Sequence, residues 1–170
     1  MGDFIKKRLP ISYYQKFFWL EWKLDPNSSK YNTSLVYRIT GNLKEEALQK
    51  ALSVYIHKFH QVSRHYFCEM SGVIEQVVEE NLQVCLEKEI LSSSLRAEDK
   101  ERNFSKQIDT FIEKYCYRSF NLMEPPLFKF GLLRITAQDH VLALGFHHIV
   151  TDAFTAGFLV QVLSELYNYY

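Results

Sequence analysis

The feature that most constrains this chain is a pair of long apolar segments near its end, Leu127 to Thr136 and His140 to Val150, separated by Ala137-Gln138-Asp139. Two β-rich runs joined by so short a turn pair antiparallel. The second run ends in His147-His148-Ile149-Val150-Thr151-Asp152-Ala153. Side chains alternate across a strand. Val141, Ala143, Gly145 and His147 therefore share one face, and Leu142, Leu144, Phe146 and His148 share the other. The two imidazoles point in opposite directions, so at most one meets a substrate directly and the other is structural. Alternation does not choose between them.

The rest of the chain mixes helices and strands around that pair. Pro10 to Trp22 reads as a short aromatic helix after an irregular arm, and Asp25 to Asn32 as a loop. Ser34 to Thr40 is β-rich and ends at Gly41-Asn42. Ala47, Leu48, Ala51, Leu52, Tyr55 and Phe59 place one apolar face on a helix over Leu43 to Phe59. Tyr66 to Cys68 and Val73 to Val78 flank Ser71-Gly72 as a hairpin, and Val84 to Glu89 reads as a further strand. The polar stretch Ser92 to Arg102 is the expected flexible segment. Asn103 to Ser119 is helical, with Phe104, Ile108, Phe111, Ile112 and Tyr115 in phase, and Asn121 to Pro126 breaks the chain. A last amphipathic helix carries Phe154, Phe158, Leu159, Val162, Leu163 and Leu166. These elements predict an α/β (α+β) two-layer sandwich: a mixed, mostly antiparallel sheet with helices packed on one face. Residues 1–170 read as a single domain without an internal boundary.

At 170 residues, 47% of them hydrophobic, the chain can build a real core. Twenty Lys and Arg against 20 Asp and Glu leave no net charge, which argues against a nucleic-acid or anionic-membrane surface. No signal peptide or membrane-spanning run is visible. Cys68, Cys85 and Cys116 are odd in number and lack metal spacing, and read as reduced thiols of a cytoplasmic protein. His57 and His60 lie three apart near a helix end, with His65 more distant. They read as helix C-terminal histidines rather than metal ligands. Tyr13, Tyr14, Phe17, Phe18, Trp19 and Trp22 read chiefly as core and domain-edge aromatics.

The paired histidines suit acyl transfer. A neutral imidazole can take a proton from an attacking amine, hold that amine in place, or stabilise a charged tetrahedral intermediate. The residue type fits all three roles. The plainer alternative is a pair of core histidines followed by Asp152 as N-cap of the last helix.

The segment His147 to Ala153 resembles the His-His-x-x-x-Asp-Gly signature of nonribosomal peptide synthetase condensation domains, which share a fold with chloramphenicol acetyltransferase. Phe120 to Arg134 resembles the family's F-D-L-x-x-x-P-L-F-R-x-x-L-L-R stretch. Asp139-His140-Val-Leu-Ala-Leu resembles the strand that leads to the histidines. Ser12, Gln15 and Trp19 are similar to a first block (S-x-A-Q-x-R-L-W), Tyr31-Asn32 to a Y-N pair, and His60, Arg64 and Phe67 to a second block (R-H-E-x-L-R-T-x-F). These motifs occur in order from about residue 10 to residue 170.

The resemblance implies a chloramphenicol-acetyltransferase-like lobe. It implies amide-bond formation between an acyl or peptidyl thioester on one carrier protein and the amine of an aminoacyl thioester on the next. Both would arrive on phosphopantetheine arms. It casts His148 as the catalytic histidine, His147 as the structural one, and Asp152 as the residue that organises the loop by ion pairing. No metal and no dissociable cofactor is implied. Carrier domains, an adenylation domain and a C-terminal lobe are the implied partners. The chain resembles only the N-terminal, donor-side lobe, and alone it is expected not to condense substrates.

Two kinds of departure stand out. Ala153 occupies the glycine position, which matters if that position needs positive φ or close substrate approach. Phe59 and Phe17 replace arginines, leaving Arg64 as a candidate ion-pair partner for Asp152, with a surface or structural use of Arg64 as the alternative. An acyltransferase of the chloramphenicol type and a non-catalytic carrier-binding module are the alternative functions.

Overall fold

The computed structural model describes residues 7–92 and 100–170. Most of the segment expected to be flexible, Ser92 to Arg102, lies outside the described residues. Four strands form the main sheet in the order β2 (Asn32–Thr40), β7 (Asp139–His147), β6 (Phe128–Thr136), β5 (Leu86–Ile90). The β6–β7 and β2–β7 pairs are antiparallel and β5 runs parallel to β6. The mixed, mostly antiparallel sheet is thus as the sequence predicts. A second sheet has the order β1 (Arg8–Pro10), β4 (Val73–Val78), β3 (His65–Met70). Its β3–β4 hairpin turns on Ser71 and Gly72, both at positive φ, the conformation a two-residue hairpin loop favours. Strand β1 lies within the arm read as irregular.

The layering corrects the expectation of helices on one face. Leu142, Leu144 and Phe146 pack with Leu48, Ala51 and Leu52 of α2 (Glu45–Val54) and with Leu159, Val162 and Leu163 of α4 (Ala153–Tyr169). On the opposite face Val141 and Ala143 pack against Phe111 of α3 (Lys100–Ile112) and against Tyr115 and Cys116 of the π turn that follows it. Strand β7 is buried from His140 to His147. That explains a run apolar on both faces, the pattern of a strand covered twice. Gly145 makes the second cover possible: a Cβ there would lie 2.1 Å from the Tyr115 carbonyl oxygen.

The first helix, α1 (Tyr13–Leu24), begins with a capping box. Gln15 N–H donates to Ser12 Oγ, and the Ser12 N–H donates to Gln15 Oε1 at 2.8 Å. Its Trp19 and Trp22 join Phe67, Phe120, Leu122, Leu127, Ile149 and Val150 in a second core. That core anchors α1 and the small sheet beside the end of β7. The predicted helix over Leu43 to Phe59 is α2 plus a π turn, Tyr55–Phe59. The His60 N–H closes that turn on the Tyr55 carbonyl at 2.9 Å.

Candidate active site

Strand β7 stops at His147, and the backbone then folds into a tight turn. The Val150 N–H donates to the His147 carbonyl at 3.1 Å and the Thr151 N–H to the His148 carbonyl at 3.4 Å. The two histidines separate as alternation requires. His147 is 3% exposed. Its Nδ1 accepts the Ile149 N–H at 3.1 Å, so the proton of the neutral ring sits on Nε2. The ring edges against Phe18 and Phe120. Burial pushes its pKa down to about 4, helped by the neighbouring His148.

His148 is half-buried and faces a cleft of about 1120 Å³. Its backbone N–H donates to the Tyr31 carbonyl at 2.7 Å. Its ring stacks on Phe18, with centroids 4.9 Å apart and planes 22° from parallel. Phe18 in turn meets Tyr31 edge-on at 5.2 Å, and the Tyr31 hydroxyl donates to the Glu21 carboxylate at 2.8 Å. Helix α1 therefore fixes the plane of the His148 ring. The Tyr31-Asn32 pair has a matching structural job. Asn32 lies opposite His147 in the β2–β7 register, and its Nδ2 donates to the Cys116 and Arg118 carbonyls at 2.9 Å each.

Tyr13, Tyr14 and Phe17 line the same cleft, with Tyr13 and Tyr14 86% and 76% exposed. The aromatic run of α1 is thus divided between core (Trp19, Trp22) and cleft wall. Polar groups line the cleft as well. The Gln76 Oε1 lies 2.8 Å from His65 Nδ1 and accepts from Gln15 Nε2 at 3.3 Å, while the Gln76 Nε2 donates to the Pro10 carbonyl at 2.7 Å.

Asp152 also lines the cleft, but its carboxylate is turned to the helix. Oδ1 accepts the Thr155 N–H at 2.7 Å as N-cap of α4, together with the Thr155 hydroxyl. Those two bonds hold its carboxyl below the usual range. Among the described residues Asp152 makes no ion pair. Arg64, the candidate partner, forms no ion pair with Asp152 among the described residues, and its buried Nε has no hydrogen-bond partner. Ala153 is the first residue of α4 and is exposed. Its φ is not positive, so the backbone cost expected of replacing glycine does not arise.

Two residues have places that the sequence does not announce. Phe18 reads there only as one of an aromatic cluster; its spacing gives no sign that it stacks on His148. His60 reads as a helix C-terminal histidine, whereas the structure buries it at the cleft beside Asp152 and His148. His57 instead sits 2.8 Å from the Ser53 carbonyl. Among the described residues no three His, Cys, Asp or Glu side chains converge as a metal site, and no helix is long and apolar enough to cross a membrane.

The condensation-domain family model matches residues 5–170. This chain belongs to the condensation-domain family. It is 32% identical over 161 residues to a linear gramicidin synthase of Brevibacillus parabrevis, a match that covers 94% of this chain and 3% of that protein. Surfactin synthase subunit 2 of Bacillus subtilis (strain 168) is also 32% identical, over 159 residues, 94% of this chain and 4% of the relative. The fold is similar to the starter condensation domain of rhizomide synthetase RzmA, with a TM-score of 0.77, 20% identity, and coverage of 95% of this chain and 37% of that one. The first condensation domain of the calcium-dependent antibiotic synthetase, in complex with a substrate analogue, gives 0.72, 22%, 94% and 38%. The chain therefore spans a small fraction of those synthetases and a little over a third of the solved condensation domains.

Proposed function

We propose that this chain is the donor-side, N-terminal lobe of a nonribosomal peptide synthetase condensation domain, and that His148 serves the amide-forming step. The observation that carries the reading is the division between the two histidines: one neutral and buried in the core, the other stacked on Phe18 and open to a large cleft. The acceptor amine attacks the carbonyl carbon of the donor thioester. The nitrogen loses a proton, the C–N bond forms, and the phosphopantetheine sulfur leaves as the thiol. A neutral imidazole beside that nitrogen can take the proton, a contribution of roughly 10²–10⁴-fold. The Phe18 stack and the Tyr31 hydrogen bond favour a ring held in place before substrate arrives, which serves whichever role the imidazole takes.

Electrostatics supports the same reading. A buried His147 that stays uncharged leaves His148 free of a second positive charge next to it. The open cleft with its exposed tyrosines fits a site whose far wall belongs to a C-terminal lobe of the same domain. The isolated lobe would then be inactive. Carrier proteins bearing phosphopantetheine-bound substrates and an adjacent adenylation domain follow as partners, in a cytoplasmic setting. The ordinary backbone of Ala153 removes one ground for a purely non-catalytic module.

The test joins the chain to a downstream lobe and follows amide formation between a donor-loaded and an acceptor-loaded carrier protein by intact-protein mass spectrometry. Product from the wild type that disappears in His148→Ala is the expected result. Undiminished product in His148→Ala would refute the role, and carrier binding without product across a range of donors and acceptors would favour the non-catalytic module.

A further inference from the structure

His65 is another imidazole on the cleft, and the chemistry above leaves it unused. It opens β3 and shares a strand face with Phe67, which packs on Trp19 of α1. Its ring is half-buried. Two backbone groups decide which of its nitrogens carries the proton. The Ser12 N–H can only donate, so the Gln15 Oε1 faces it at 2.8 Å and the Gln15 Nε2 points to Gln76 at 3.3 Å. The Pro10 carbonyl can only accept, so the Gln76 Nε2 faces it at 2.7 Å and the Gln76 Oε1 is left for Gln15 and His65. An amide oxygen only accepts. The His65 Nδ1, 2.8 Å from that oxygen, is therefore the donor, and the neutral ring presents a lone pair at Nε2. Among the described residues no group bonds to that nitrogen. Burial pushes the pKa of the ring down and so keeps it neutral; the Gln76 bond opposes this, and the charges of Arg64 and Lys7 add to it. The same cleft holds His148 and the side chains of Tyr13, Tyr14 and Phe17.

We infer that His65 determines donor specificity: its Nε2 accepts a hydrogen bond from an amide N–H carried by the donor acyl chain, as in an N-acylated aminoacyl or peptidyl thioester. The inference rests on the functional reading above and deepens it. The tautomer is fixed before substrate arrives, because each amide in the chain from Ser12 through Gln15 and Gln76 to His65 is held by a backbone group or by its neighbour. A preset acceptor rewards a ligand that brings a donor and penalises one that does not. An acyl chain of methylenes alone would strip water from the lone pair and return no hydrogen bond. A free ammonium at the same place would meet the positive charges of Arg64 and Lys7, which act on this ring. A neutral amide N–H carries neither cost.

The first experiment uses the 170-residue chain itself. Long-range ¹H–¹⁵N spectra of the imidazoles at pH 7 should show His65 neutral with its proton on Nδ1. A proton on Nε2 would overturn the inference, whatever the fate of the condensation reading. The second uses the domain joined to its downstream lobe and a pair of donors on the same carrier protein. One is the N-acetylalanyl thioester. The other is the O-acetyllactyl thioester, in which an ester oxygen replaces the N–H and the outline is kept. The ratio of kcat/KM, amide donor over ester donor, should be about three- to tenfold lower in His65→Phe than in wild type, the loss of one neutral hydrogen bond. Comparing the change of donor with the change of residue isolates their interaction. Both donors hang from the same phosphopantetheine arm, so a contact between His65 and the amides of the arm lowers both alike and leaves the ratio unmoved. If His65→Phe does not fold, His65→Thr replaces it: a β-branched residue suits a strand, and its hydroxyl stops short of the Nε2 position. A ratio equal in wild type and variant would overturn the inference while leaving wild-type condensation intact, as would wild-type preference for hydrocarbon acyl donors over amide donors. Absence of wild-type product from every donor would remove the functional reading and this inference with it.

Discussion

Replacing Gly145 by alanine should damage this protein more than any other single added methyl group along β7. Gly145 lies opposite Ser34 on β2 and Lys129 on β6, in the middle of three strands. Its missing side chain admits the π turn 113–117. A Cβ built there comes within 2.1 Å of the Tyr115 carbonyl oxygen, 3.1 Å of its carbonyl carbon and 3.3 Å of Cys116 Cα. All three are backbone atoms, so no rotamer change relieves the contact. Relief requires the turn to move by about an ångström away from a sheet packed at crystal-like density. It would also strain the Asn32 bonds to the Cys116 and Arg118 carbonyls. Overpacking of this kind costs about 1–3 kcal/mol, and the backbone clash puts Gly145→Ala at the upper end. In a chain of this size each kcal/mol lowers Tm by about 2–4 °C, so differential scanning calorimetry should record a fall of roughly 6–12 °C. Gly145 stands two residues before His147, so turnover in the complete domain should fall as well. A Tm within about 1 °C of wild type would refute the close approach of the π turn to β7.

Other expectations concern the site. His60 and His147 both have folded pKa values of about 4 against 6.5 for a free imidazole. The unfolded chain therefore binds protons first, and stability should be level above about pH 6.5 and decline down to about pH 4. The decline is worth up to roughly 3 kcal/mol for each histidine; Tm measured across that window should flatten in His60→Gln, and an unchanged profile would contradict the buried neutral ring. Ala153→Gly should lower Tm slightly, by at most about 1 kcal/mol of helix stability, and leave turnover within about twofold; a large gain in turnover would show that substrate needs the bare backbone there. Asp152→Ala should lose the cap at a cost of about 1 kcal/mol, while Asp152→Asn should keep it, as read by urea unfolding.

The motifs in the sequence mark parts of the fold as much as parts of the site. Ser12 and Gln15 are a capping box, Trp19 is core, and Tyr31-Asn32 ties β2 to both the His148 backbone and the end of the π turn. Period-two alternation is enough to separate His147 from His148. The identity of the buried one depends on the second core around Phe18 and Phe120, which no local pattern reveals. The α2 and α3 periodicities are legible, but a π turn adds one residue to a turn and looks like continued helix in a sequence. That extra residue hides the position of His60. The unbroken apolar run of β7 is itself the sign of its double cover, because a strand lacking polar residues on either face is covered on both; helices on one face alone do not follow from it.

The division of labour between the two histidines is tested most directly by measuring turnover and Tm together for His148→Ala and His147→Ala in the domain joined to its downstream lobe. His148→Ala should lose amide formation by roughly 10²-fold or more with Tm within about 2 °C of wild type. His147→Ala leaves the Ile149 N–H buried without an acceptor, at about 1–3 kcal/mol, and opens a hole between Phe18 and Phe120; its Tm should fall by several degrees. The opposite pattern, with His148→Ala still turning over and His147→Ala stable but inactive, would contradict the assignment of the cleft-facing imidazole to the reaction.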